Sequence, residues 1–113
     1  MPIAMVYKKV HGHQVLEATL LDAAVATGNG EWVDCSGFHG LTVDIEGITT
    51  ASVSIRCSNN TTRPANTEHE REVETVTADS TVVIVFPVRW LKARVSSYTS
   101  GTITANLYGN SPQ

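Results

Sequence analysis

The sequence predicts an all-β fold, an antiparallel β-sandwich of the jelly-roll kind with about eight short strands. Three features predict it. Apolar and polar residues alternate along short segments, turn residues separate these segments, and the β-branched residues Val, Ile and Thr are abundant. The chain has 113 residues, enough for one domain with one core. We divide it into an extended N-terminal arm, residues 1–13, and a β-sandwich domain, residues 14–113.

Composition and charge argue against several partners and compartments. The net charge is −3, from eight Lys and Arg against eleven Asp and Glu, whereas nucleic-acid binding needs a concentrated basic patch. No apolar run approaches the ~20 residues of a membrane span, and no secretory signal is visible. We therefore expect no nucleic-acid partner, no membrane partner and synthesis in a cytoplasm. There Cys35 and Cys57 are expected to be free thiols, with a disulfide as the alternative because both lie in predicted strands.

The N-terminal arm shows no sustained periodicity, which is common for a frayed terminus. It is nevertheless more apolar than a solvated tail requires, and an apolar arm needs a surface to bury against. We therefore predict that the arm forms an interface with a neighbouring subunit. The apolar residues concerned are Ile3, Met5, Val6, Tyr7 and Val10.

The first predicted strand covers 14–21, where alternate apolar residues share one face. A helix over 16–26 is the alternative, because Leu, Glu and Ala favour helices. The residues Thr27-Gly28-Asn29-Gly30 predict a turn, and a short strand follows at 31–35.

The cleanest alternation lies at 41–46, where Leu41, Val43 and Ile45 are predicted to point inward. A turn at 47–50 leads to a second alternating strand, 52–58. The segment 59–67 has hardly any apolar residue, so it is predicted to be a loop with an exposed tip.

Four glutamates follow at a spacing of two: Glu68, Glu70, Glu72 and Glu74. In a strand they share one face, where like charges repel unless they are solvated or paired with a basic surface. The next segment, 82–86, is a continuous apolar run. It predicts a strand that is buried on both faces if it is central in the sheet, ended by Pro87.

The last two strands are predicted at 89–95 and 102–108, joined into a hairpin by the polar turn 96–101. The predicted buried face comprises Leu91, Ala93, Val95, Ile103, Ala105 and Leu107. The other face is too charged to be core throughout, so we predict an interface that pairs across subunits with Glu70, Glu72 and Glu74. That basic and aromatic face comprises Arg89, Trp90, Lys92, Arg94 and Tyr108.

No motif in the chain carries reaction chemistry, so we predict that it is not an enzyme and uses no metal or cofactor. His11 and His13 could share a zinc ion, but no further ligand lies nearby. No catalytic context surrounds either thiol that could pair with His39 or His69. Four aromatic residues, predicted as core or interface, could alternatively stack on a sugar. They are Trp32, Trp90, Tyr98 and Tyr108.

Several motifs together carry a resemblance to a known group of proteins. They are Leu20-Leu21-Asp22-Ala23-Ala24, Gly28-Asn29-Gly30, Val33-Asp34-Cys35-Ser36-Gly37-Phe38, Leu41-Thr42-Val43 and the residues from Trp90 to Thr104. Residues from about 15 to 108 resemble small β-rich structural proteins encoded beside the head and tail genes of tailed bacteriophages, most like capsid decoration (cement) proteins.

The resemblance implies a structural virion protein at the capsid surface, made in the host bacterial cytoplasm. Its implied partners are the major capsid protein and further copies of itself, often as a trimer. The alternatives are a tail- or fibre-associated β module that binds host saccharide, and a head–tail connector or tail-completion protein.

Overall fold

The computed structural model describes residues 5–10, 13–65 and 69–111. This part of the chain is all-β, and its strands form one antiparallel sheet, so the predicted fold class is confirmed. No helix long and apolar enough to cross a bilayer occurs within these ranges. The strands are β1 (Met5–Val10), β2 (His13–Ala24), β3 (Gly28–Asn29), β4 (Val33–Asp34), β5 (Gly40–Ser58), β6 (Arg71–Val76), β7 (Ser80–Ile84) and β8 (Trp90–Ser111).

Two long strands form the centre of the sheet. β5 has 19 residues and β8 has 22, and they pair antiparallel from Gly40↔Asn110 to Ser58↔Trp90. Straight strands of these lengths would measure ~63 and ~73 Å at ~3.3 Å per residue. The longest dimension of the molecule is only 43 Å, so both strands must bend.

The bend lies where each of the two strands carries a glycine. Gly47 and Gly101 have φ angles of +88° and +129°, in the region that glycine favours. A Cβ atom on Gly47 would clash with the carbonyl oxygen of Thr102, and one on Gly101 would lie 2.5 Å from the carbonyl oxygen of Gly47. The pairing of β5 with β8 also shifts register between Glu46 and Val53, as expected of β-bulges.

The bend divides the sheet into two halves. The first half contains β1, β2, the C-terminal part of β8, the N-terminal part of β5, and β7. The second half contains β3, β4, the N-terminal part of β8, the C-terminal part of β5, and β6. Buried side chains of both halves belong to one hydrophobic cluster, so the halves enclose a single core between them. The result is a sandwich made from one bent sheet.

The predicted hairpin is wrong in its connection, although its buried face is confirmed. Residues 96–101 are extended within β8, and residues 47–50, also predicted as a turn, are extended within β5. The two segments lie beside each other, with Thr50 opposite Ser100. Their polar and glycine residues serve a bend at the end of the core rather than a chain reversal. All six residues predicted for the buried face are buried.

Three further predictions have structural outcomes. The helix alternative over 16–26 is wrong, because β2 extends to Ala24. The run at 82–86 is not a central strand, because β7 pairs only with β5 among the described residues and leaves Val83 exposed. Cys35 and Cys57 are free thiols, as predicted.

We expect Gly47→Ala to destabilise the fold far more than Gly37→Ala. Gly37 has nearly the same φ, +85°, but an added Cβ there would meet no atom within 4 Å. Gly37→Ala should therefore lower the unfolding free energy by ~1–2 kcal/mol, solely because alanine disfavours the left-handed backbone conformation. Gly47→Ala should lose at least ~2 kcal/mol more, because the backbone of β8 must move. Urea unfolding of both variants checks this, and equal losses would contradict the glycine requirement of the bend.

Candidate functional site

Of the basic and aromatic residues singled out in the sequence, Trp90, Lys92 and Arg94 lie on the outer face of the second half of the sheet. Tyr108, which was expected on the same face, lies in the first half opposite Thr42. Because Leu91, Ala93 and Val95 face the core, the side chains between them point outward. Lys92 lies opposite Arg56 of β5, and Arg94 lies opposite Ser54. Period-two alternation therefore places three cations side by side on this face.

The centre of this site is the carboxylate of Glu70, the residue just before β6. Its Oε2 accepts hydrogen bonds from Arg56 Nε at 2.9 Å and from Arg94 Nη2 at 2.6 Å. Its Oε1 lies 2.8 Å from Lys92 Nζ. The side chains of Glu70 and Lys92 are each only 3% exposed. We call Glu70, Arg56, Lys92 and Arg94 the ion cluster.

Burial and ion pairing shift the pKa of Glu70 in opposite directions. Burial raises the pKa of Glu70, while Lys92, Arg94 and Arg56 lower it, and the lowered pKa is the net result. The contact of Glu70 Oε1 with Lys92 Nζ lowers this pKa both by hydrogen bonding and by charge attraction. The carboxylate therefore stays charged at neutral pH and holds the three cations together.

Aromatic residues and a loop enclose the ion cluster. Lys92 Nζ lies 4.6 Å from the centroid of the Trp32 ring, a cation–π contact with a buried tryptophan. Trp90 donates its Nε1–H to the carbonyl oxygen of Asn60 at 3.0 Å. The side chain of Asn59 accepts a hydrogen bond from the backbone N–H of Arg89 at 2.9 Å. These bonds tie the loop after β5 to the start of β8.

The expected pairing of the basic face with the acidic residues occurs, but within one chain. β6 lies beside β5, so Glu70 and Glu72 meet cations of their own chain. Glu72 is 53% exposed and binds Arg56 at 3.3 Å. The buried pair of Glu70 and Lys92 thus forms within one chain. The interface with a second subunit stays a prediction for the whole predicted set, which also includes Arg89, Trp90, Arg94, Glu72 and Glu74.

The N-terminal residues predicted for an interface lie partly in β1. Ile3 is outside the described residues. Met5, Val6, Tyr7 and Val10 belong to β1, which pairs with β2 from Met5↔Ala18 to Val10↔His13. This part of the predicted arm therefore extends the sheet of its own chain instead of lying outside the fold. Its contact with a neighbouring subunit stays a prediction.

The four aromatic residues considered for sugar stacking do not form one platform. Trp32 is buried and Trp90 is half-buried beside the ion cluster. Tyr98 lies at the bend, where its hydroxyl donates to the carbonyl oxygen of Gly101 at 2.6 Å. Tyr108 is exposed on the other half of the sheet. The sheet therefore separates the rings instead of aligning them for one ligand.

The two thiols have raised pKa values. Burial, and after it the charge of Asp34, raises the pKa of Cys35 to about 12. Burial also raises the pKa of Cys57, although Arg56 and Arg71 oppose the rise. Both thiols are therefore protonated at neutral pH, whereas a cysteine nucleophile needs its thiolate. No group of three or more metal-binding side chains occurs in the described part of the chain.

A second surface, missed from the sequence, lies along β7. Five large apolar side chains are exposed among the described residues, and Val25 is the one that lies elsewhere. We call the other four, Val83, Val85, Phe86 and Tyr108, the apolar edge. Val83 and Tyr108 both lie opposite Thr42, on either side of β5. The signal for this surface in the sequence is the apolar run at 82–86, whose pattern is also that of a central strand buried on both faces.

Comparisons with known proteins identify a similar fold. No family model matches the chain, and no curated protein matches its sequence. The structure of the SPBc2 prophage-derived protein YomS is similar, with a TM-score of 0.70 and 18% identity over 92% of this chain and 99% of that chain. Drosophila melanogaster CENP-C bound to CAL1 has a TM-score of 0.44 and 7% identity, over 95% of this chain and 76% of that chain. The likeness to YomS shows a shared fold along nearly the whole of both chains, and the likeness to CENP-C is too weak to show one.

We expect Glu70→Gln to lower the unfolding free energy by ~3–5 kcal/mol, because it leaves the buried Lys92 without a counter-charge. Glu72→Gln is the matched control. It also removes a carboxylate bound to Arg56, but an exposed one, and should cost no more than ~1 kcal/mol. Urea unfolding at neutral pH measures both losses. Similar losses in the two variants would contradict the central role of Glu70.

The contribution of Glu70 to the unfolding free energy should also depend on pH and should decrease in acid. Its pKa is lowered from 4.5, so the folded state binds a proton less readily than the unfolded chain. Its stabilising effect is then fully present above pH 4.5 and is lost as the pH falls through the folded pKa. The stability difference between the wild type and Glu70→Gln should therefore shrink in acid. A difference that is constant across the acid range would contradict this assignment.

Proposed function

We propose that this protein is a structural component of a tailed-bacteriophage particle, a capsid decoration protein that binds the head shell as a homo-oligomer and stabilises it. The observation that carries the proposal is the likeness in fold to the prophage-derived protein YomS. The likeness covers nearly all of both chains. The sequence resemblance to phage decoration proteins supports the same role.

The physical properties of the molecule suit a protein that reinforces a shell. Such a protein must be rigid, because it stabilises a shell only if it deforms less readily than the contacts it bridges. The sheet bends around one continuous core. On the outer face of the second half, the ion cluster joins Glu70 to β5 and β8, and Trp90 holds the loop after β5. Rigid outer faces of this kind can act as binding surfaces without a large loss of conformational entropy.

The N-terminal strand is the part that we assign to the shell contact. β1 pairs only with β2 among the described residues, so its other side offers backbone groups for strand addition. The proposed partners are therefore the major capsid protein and further copies of this chain. The proposed location is the capsid surface of the virion, after synthesis in the cytoplasm of the host bacterium.

Binding to heads tests the proposed function directly. Heads prepared without this protein should bind the purified chain until their sites are saturated, and they should then resist heat or osmotic rupture better than bare heads. Sedimentation with heads, with isolated tails as the comparison, measures the binding. Binding to tails alone would contradict the decoration role and favour a tail protein or a head–tail connector.

Removal of residues 1–12 should abolish binding to heads but leave a folded domain. The described members of the buried core cluster lie at Leu16 or beyond, and β2 also pairs with β8 on its other side, so we expect the remaining chain to fold. Cooperative unfolding of the truncated chain checks that it is folded. A deletion of residues 1–4, which leaves β1 intact, is the matched control for the strand itself. Normal binding by the longer deletion would exclude β1 from the shell contact.

A further inference from the structure

A depression of about 400 Å³ lies at the end of the second half of the sheet, where β5 leads into its loop. This volume falls within the range of small-ligand sites, roughly 300–1,000 Å³. No carboxylate lines it among the described residues. Apart from the thiol of Cys57, every lining side chain carries a hydrogen-bonding nitrogen or oxygen atom. We call this depression the polar pocket, lined by Ser58, Asn59, Asn60, Thr61, His69 and Arg71.

The cation of the polar pocket is Arg71. It lies opposite Cys57 in the pairing of β5 with β6, and its side chain is exposed. Its Nη1 donates to the carbonyl oxygen of Glu70 at 3.0 Å, which orients the guanidinium. None of the ion pairs between described residues involves Arg71. The other N–H groups of its guanidinium are therefore available to a ligand.

The glutamates next to Arg71 do not pair with it because they point to the other face. Side chains alternate between the two faces along an extended chain, so Arg71 points away from Glu70 and Glu72. Both glutamates are bound instead to Arg56, with nitrogen–oxygen distances of 2.9 and 3.3 Å. Arg56 thus holds both carboxylates on the outer face. Within the described structure the polar pocket keeps a cation without a counter-charge.

The thiol of Cys57 reports the sign of the charge around the polar pocket. Burial raises the pKa of this thiol, whereas Arg56 and Arg71 lower it. Both charged groups that act on the thiol are therefore cations. An anion at this wall is attracted to the same two groups, and partial burial strengthens the attraction.

The remaining walls of the polar pocket are held in place before a ligand arrives. Asn60 is fixed by two hydrogen bonds, from its backbone N–H to Ser58 Oγ and from its side-chain Nδ2 to the carbonyl oxygen of Thr62. His69 has a φ of +51°, in the left-handed region that residues other than glycine rarely adopt. Strained residues of this kind occur more often at ligand sites than elsewhere. His69 also contributes an imidazole N–H donor beside Arg71.

We propose that the polar pocket binds a small oxyanion, a carboxylate or a phosphate group, with Arg71 as its principal ligand and His69 beside it. A guanidinium pairs with either group through two parallel N–H···O bonds. The oxyanion is either a free ion or an acidic side chain of a protein partner. The inference goes beyond the proposed function. It is tested on the isolated chain without heads, so either proposal can fail alone.

Titration with inorganic phosphate, followed by the NMR shifts of the backbone amides, tests the site. The shifts at Asn60, His69 and Arg71 should saturate together. Arg71→Gln should raise the dissociation constant at least ~10-fold, because a charged hydrogen-bond donor is lost. Arg89→Gln is the matched control. It removes the same charge from another exposed arginine, which does not line the polar pocket, and should leave the dissociation constant within ~2-fold.

A second titration, with a short peptide of glutamates, distinguishes the two sources of the oxyanion. Tighter binding of the peptide than of phosphate assigns the polar pocket to an acidic side chain of a protein partner. Tighter binding of phosphate assigns it to a free ion. In both cases the site is supported only if Arg71→Gln weakens the binding and Arg89→Gln does not.

Three results would overturn the proposal. They are shifts that do not saturate, shifts that saturate away from the polar pocket, and equal affinities of the wild type and a folded Arg71→Gln. Circular dichroism and urea unfolding check the fold of each variant. Arg71→Lys, which keeps the charge but loses the planar fork, provides the same test if Arg71→Gln does not fold, and it should also bind phosphate more weakly.

Discussion

The shared bend of β5 and β8 is the constraint on which the rest of the molecule depends. The two strands are paired along almost their whole length, so neither can bend unless the other bends at the same place. Gly47 and Gly101 permit the close approach of the two backbones at that place. If both strands stayed straight, the sheet would expose one wide apolar face. Because both bend, that face closes on itself and becomes a core.

Alternation along the sequence predicts the buried face of the long strands, but not how the strands connect. Leu91 and Ile103 were correctly placed on one buried face, since the period of two is a local property of a strand. Gly101 and its Ser and Thr neighbours predict a turn. The same residue types serve a reversal of the chain and a bend within a strand. Only the partner segment decides between them, and here it is the equally polar stretch around Gly47, far away in the sequence.

The candidate site shows a similar division between local and long-range information. The spacing of two residues correctly places Lys92 and Arg94 on one outward face, and it predicts that the glutamates are either solvated or paired with a basic surface. It could not show that the basic surface belongs to the same chain. That outcome depends on β6 pairing with β5, which brings Glu70 onto the cations beside it. For the continuous run at 82–86, the local pattern itself is ambiguous. An edge strand with an apolar outer face has the same pattern as a central strand.

The bend also explains why the two outer faces can have different roles. The outer face of the second half is closed, since the ion cluster and the bonds of Asn59 and Asn60 hold a loop over it. The outer face of the first half is open at Val83 and Tyr108. The bend turns these faces away from each other, with the core between them. A ligand on the open face therefore need not disturb the buried charges of the closed one. This separation allows an exposed apolar surface to persist on a small protein, because the interactions that stabilise the fold do not depend on it.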